Sequence, residues 1–95
     1  MINKEEAVKL AAEFLAADLD ALPVEERIPV RVIPEKSYID ESHLIIMYNS
    51  VEFIEGNASQ GIVGTLPIRV DMKTKECEFI SLKEYFDYKK RGVIL

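Results

Sequence analysis

Cys77 and His43 are the only cysteine and the only histidine in this 95-residue sequence, so nucleophilic thiol chemistry would have to join these two side chains. A cysteine nucleophile needs an imidazole within hydrogen-bond reach of its sulfur. Cys77 lies in the run Glu76-Cys77-Glu78-Phe79-Ile80, whose alternation predicts a strand with Cys77 and Phe79 on one face and Glu76 and Glu78 on the other. A thiol beside Phe79 reads as a small buried hydrophobe rather than an activated thiolate. One histidine and one cysteine cannot complete a zinc tetrad, and the acids match no calcium loop. Glu76 and Glu78, about 7 Å apart along a strand, have the residue types for acid–base work. A chain this short, however, has little volume for the pocket such work needs. Gly61-Ile62-Val63-Gly64-Thr65 lacks the Gly-Lys-Ser/Thr ending of a phosphate loop and leads into a strand, not a helix. No catalytic residue, metal ligand or cofactor site is expected.

The elements that would carry these residues follow from periodicity. Asn3 can cap a helix, with Glu6 three positions on to complete a capping box. Ala7, Leu10, Ala11, Phe14 and Leu15 recur at helical spacing, and Pro23 limits the helix to about Lys4–Asp20. Ile28–Ile33 alternates between prolines and predicts an edge strand, followed by a polar hairpin loop over Glu35–Ser42. His43–Asn49 is apolar on both faces, the pattern of a central strand. Val51–Ile54 suits either a turn of helix or an extended piece, within a long connection reaching Thr65. Leu66–Asp71 and Glu76–Ile80 predict two more strands around a turn at Asp71–Lys75. Ser81-Leu82-Lys83-Glu84 is a second capping box, opening a helix with Leu82, Tyr85, Phe86 and Lys89 on one side and Gly92 as its stop. Short turns favour antiparallel pairing. The expected fold class is α+β: an N-terminal helix packed on a four-stranded antiparallel sheet, with a short C-terminal helix, in a single domain over 1–95.

Composition narrows the partners. Seventeen acidic residues against twelve basic ones give a net charge of −5, which disfavours nucleic acid and anionic membrane. No apolar run reaches the roughly 20 residues of a membrane span. The first residues lack the basic and apolar regions of a signal peptide, and a lone cysteine argues against a disulfide-stapled secreted fold, so the expected location is cytoplasmic. What remains is surface. The central strand offers two sets, Leu44, Ile46 and Tyr48 on one face and His43, Ile45, Met47 and Asn49 on the other, and the sequence leaves open which set the first helix covers. An uncovered second set, flanked by Arg31, Arg69, Glu76 and Glu78, would have the apolar anchors and charged rim of a protein-binding face. Alternatively, the C-terminal segment covers it. Pairing of Ile28–Ile33 across a two-fold axis would make a homodimer, although Pro29, Arg31 and Pro34 oppose it.

The stretches Tyr48-Asn49-Ser50-Val51-Glu52-Phe53-Ile54-Glu55-Gly56, Val63-Gly64-Thr65-Leu66-Pro67-Ile68-Arg69-Val70-Asp71, Lys73-Thr74-Lys75-Glu76 and Leu82-Lys83-Glu84-Tyr85 resemble the immunity protein 35 (YrhB-like) family. The resemblance spans about Ala7 to Tyr88, and its most specific part is Tyr48–Asp71. The chain departs from the family pattern in having no tryptophan near the central strand, Lys75 where the turn usually has glycine, and Ile80-Ser81 where a Gly-Thr step often precedes the last helix. The resemblance implies a cytoplasmic, non-enzymatic protein that binds and neutralises a cognate bacterial toxin, with peptidase-type toxins among the expected partners. A small chaperone-like role is also described in the family. The family brings no catalytic residues. The residues expected to meet a partner are Ile45, Met47, Asn49 and Arg69 on the sheet, and Glu55 and Asn57 in the Glu55–Gly64 loop.

Overall fold

Asn3 starts the first helix, α1 (Lys4–Asp20), by accepting a hydrogen bond on its side chain from the Glu6 amide at 2.8 Å. The computed structural model describes residues 1–57, 61–62 and 65–94. Ala7, Ala11 and Leu15 form the buried stripe of α1. The two alanines bring the helix backbone close to the sheet, and the larger Phe14 packs its ring on Phe79, 5.0 Å between centroids. After α1, a single 3₁₀ turn (Val24–Glu26) leads into the sheet.

The sheet has four antiparallel strands whose spatial order is their sequence order: β1 (Val30–Asp40), β2 (His43–Ser50), β3 (Ile68–Asp71) and β4 (Cys77–Phe79). A short helix, α2 (Val51–Ile54), follows β2, and α3 (Leu82–Lys90) follows β4. The α+β architecture expected from the sequence is therefore the observed one. Among the described residues, no helix is long and apolar enough to cross a membrane.

Several strand boundaries differ from expectation. The first strand does not end at Pro34. It resumes at Ser37 and runs to Asp40, pairing Ser37–Asp40 with Ile46–His43, while Pro34, Glu35 and Lys36 loop out between the two paired halves. An edge strand tolerates such a bulge because one side of its ladder is free. The Ser37 hydroxyl closes the bulge by donating to the Pro34 carbonyl at 2.6 Å. The hairpin loop is therefore only Glu41-Ser42, with Glu41 at φ +55°. β3 and β4 are also shorter than Leu66–Asp71 and Glu76–Ile80.

Register decides which face is which. Leu44, Ile46, Ile68 and Val70 are buried against α1 with Ala7, Ala11, Leu15, Val32 and Met72, and Tyr48, Cys77 and Phe79 pack around them. On the opposite face, Ile45, Ile80, Tyr88 and Ile94 form a second buried cluster with Tyr38, Tyr85 and Val93 around it. The fold thus has three layers: α1, the sheet, and the C-terminal segment. Gly92 makes the third layer possible. At φ +78° it ends α3, donating to the Lys89 carbonyl while the Val93 amide reaches Tyr88, and the chain turns back so that Ile94 is buried.

Candidate interaction surface

The second face of the sheet, where a partner was expected, is largely spoken for. Ile45 is 0% exposed beneath Tyr88, Ile80 and Ile94, so it is a core residue and not a surface contact. Arg69 is likewise committed within the chain. Its guanidinium donates to Glu78 on β4 and Glu84 on α3, and to the Tyr88 hydroxyl at 3.2 Å. Burial opposes the Arg69 charge, but hydrogen bonds to Tyr88, Glu78 and Glu84 outweigh it and raise its pKa above the ordinary value. Glu84 also closes the capping box of α3, accepting from the Ser81 amide while its own amide donates to the Ser81 hydroxyl. The Ser81 amide and the Arg69 guanidinium together hold the Glu84 carboxyl below its usual range. Start and docking of α3 are therefore fixed by one carboxylate.

Asn49 also has an internal role. β3 pairs only with His43–Ile46, leaving the last half of β2 without a strand on that side. Asn49 fills the gap: its Oδ1 accepts from the Ile62 amide at 2.8 Å and its Nδ2 donates to the Ile62 carbonyl at 3.5 Å. The amide thereby takes the part of a paired backbone. Met47 is half-buried opposite Ile33. Glu55 and Asn57 are exposed after α2, where Gly56 at φ +111° reverses the chain. Positions 58–60 and 63–64 of the expected Glu55–Gly64 loop lie outside the described residues. Gly61 has no room for a side chain, since a Cβ there would stand 2.6 Å from the Phe53 ring.

The geometry separates Cys77 from His43. Cys77 pairs with Val70 on the α1 face, whereas His43 precedes Leu44 and points to the other face. Burial, with Glu13 adding to it, pushes the Cys77 thiol up from its ordinary value, the reverse of activation. His43 stands 3.7 Å from Asp71. The Asp71 carboxyl is held low by the Lys73 and Thr74 amides that cap the β3–β4 turn. Among the described residues, no cluster of three metal-binding side chains occurs.

Among the described residues, two groups of neighbouring exposed apolar side chains remain, apart from the isolated Met1 and Ile39. On α3, Leu82 and Phe86, which the spacing places on one side with Tyr85 and Lys89, are exposed; Tyr88 is the buried residue of that helix. The Arg69–Glu84 pair and the returning tail set the rotation of α3 and override its apolar stripe. This set is a convex pair. The other set, at the end of α1, is concave. Leu22, Val24 and Ile28 are 43%, 72% and 55% exposed. Leu22 and Ile28 line a groove floored by Leu15, Leu19, Val30 and Tyr48, with Asp18 and Glu26 in its wall, and Val24 stands exposed on the adjoining turn. Sequence reading passed over it because Leu22–Ile28 has no periodicity, although three large apolar residues among Asp20, Glu25 and Glu26 were visible there.

Arg27 holds this segment in place. Its Nε donates to the Leu22 carbonyl at 2.9 Å and a terminal nitrogen to the Asp20 carbonyl at 3.0 Å, with the Asp20 carboxylate 3.8 Å away. The exposed apolar side chains thus sit on a braced turn. In comparisons with protein families, curated proteins and solved structures, none matches this chain.

Proposed function

We propose that the chain is a non-enzymatic protein-binding domain that acts by occlusion, as a cytoplasmic immunity protein does when it neutralises a cognate bacterial toxin. The observation that carries this reading is the groove at the end of α1, where Leu22 and Ile28 stand exposed around an apolar floor with Asp18 and Glu26 in its wall. Apolar anchors surrounded by charge are what a protein interface requires. Stoichiometric occlusion needs neither nucleophile nor metal, in keeping with a thiol and an imidazole on opposite faces. The resemblance of Tyr48–Asp71 to the immunity protein 35 family supplies the kind of partner, a toxin of the peptidase type among those expected.

The test is coexpression with the protein encoded beside this chain in its genome. Growth restored by the chain, together with a stoichiometric complex on size-exclusion chromatography, is the expected result. A neighbour that is harmless, or one that still kills cells containing the folded chain, would refute the proposal. General suppression of client aggregation without a specific complex would instead favour the chaperone-like role.

A further inference from the structure

The groove at the end of α1 has a chemistry of its own. Its floor is aliphatic and aromatic, from Leu15, Leu19 and Tyr48, while the acids Asp18 and Glu26 stand in its wall. Its volume of about 190 Å³ suits a single long side chain. The carboxylates are also unspent: Arg27 is turned to Asp20, and Asp18 and Glu26 enter no ion pair among the described residues. Asp18 and Asp20 moreover occupy the last turn of α1, which carries no basic residue. Carboxylates there face the negative end of the helix dipole, against the usual preference for cations. Arg27 answers that end of the helix from outside it, at the Asp20 and Leu22 carbonyls, and leaves the Asp18 carboxylate lining the groove without an ion pair among the described residues.

We infer that the groove receives an arginine side chain of the protein partner, its aliphatic stem lying on Leu19 and Val30 and its guanidinium meeting Asp18 and Glu26. The inference rests on the protein-binding reading above and names what that partner presents. Arginine joins an apolar stem to a planar charged head, so it matches a site with an apolar floor and acidic wall, and it is enriched at the energetic centres of interfaces.

The probe is the blocked tripeptide leucine–arginine–leucine, titrated into the full chain and followed by amide NMR shifts, with leucine–glutamine–leucine as its uncharged counterpart. Saturable shifts at Leu19, Leu22, Glu26 and Ile28 with the arginine peptide are expected. The double variant Asp18→Asn, Glu26→Gln should weaken binding about tenfold, the size expected for two exposed ion pairs. Both changes are isosteric and at exposed positions, and circular dichroism checks that the variant is folded. Equal shifts with the glutamine peptide, shifts centred elsewhere, or undiminished binding by the double variant would each overturn the inference. The coexpression assay separates the two ideas. If the double variant protects cells as well as the parent does, the arginine site is wrong and the occlusion reading stands. If the groove takes the arginine peptide but the chain protects against no neighbour, the occlusion reading fails and the site stands.

Discussion

Replacing Lys75 with glycine should make this chain more stable. Lys75 closes the β3–β4 turn at φ +69°, in the left-handed region, and its amide donates to the Asp71 carbonyl at 2.7 Å. That conformation costs a residue with a Cβ roughly 1–2 kcal/mol, and glycine adopts it without that cost. Glycine is also freer in the unfolded chain, which takes back about 0.4–1 kcal/mol. Lys75 is exposed, and the turn hydrogen bond is made by its backbone, so little else changes. The net gain is about 0.5–1 kcal/mol, which in a domain of this size raises the melting temperature by about 2–8 °C. Urea and thermal unfolding of the parent, Lys75→Gly and Lys75→Ala measure it. The alanine variant keeps its Cβ and should gain nothing. A glycine variant no more stable than the alanine one would refute the argument that backbone strain at this position is relieved.

The second layer of core predicts a contrast between two apolar truncations: Ile45→Ala should cost about 3 kcal/mol in urea unfolding, while Phe86→Ala, on the outer side of α3, should stay within about 0.5 kcal/mol. Because Glu84 is held below its usual range, the unfolded chain takes up that proton first as pH falls. Its stabilisation is therefore complete above the ordinary carboxylate range and lost as pH drops through the folded value, and Glu84→Gln should flatten that acid limb. Cys77, its thiol pushed up by burial, should react slowly with iodoacetamide at neutral pH and rapidly in denaturant; equal rates in both would contradict its packing beside Phe79.

Elements governed by local chemistry were legible. Asn3 and Ser81 cap the helices they were expected to cap, Gly92 ends α3, and the alternation of Leu44, Ile46 and Tyr48 gave one face of β2. What could not be read depended on distant partners. Because β2 is apolar on both sides, nothing local chose the face for α1, and the alanines of α1 fit either. The Ser37–Asp40 half of β1 was hidden by the polar bulge before it, and only pairing with β2 makes it a strand. The rotation of α3 depends on Arg69, thirteen residues before the helix begins, so the spacing of Leu82, Tyr85, Phe86 and Lys89 alone does not say which side faces the sheet. Ile45, Asn49 and Arg69 have the character of contacts, but the chain itself supplies what they contact.

The strand order has a kinetic consequence. Every strand pairs with its neighbour in sequence, and two of the three connections, Glu41-Ser42 and Met72–Glu76, are short. Only the seventeen residues from Val51 to Pro67 make a longer loop, adding about 1 kcal/mol of closure entropy over the five-residue turn. The β1–β2 hairpin can therefore form early, on the microsecond scale of isolated hairpins. Phe14 and Phe79 meet from near opposite ends of the chain, a contact of far longer sequence separation than the β1–β2 hairpin. Weakening the hairpin should chiefly slow folding, whereas weakening the Phe14–Phe79 contact should chiefly speed unfolding, a division that stopped-flow measurement of both rates would reveal. On that division, the rate of unfolding reports how long α1 stays on the sheet.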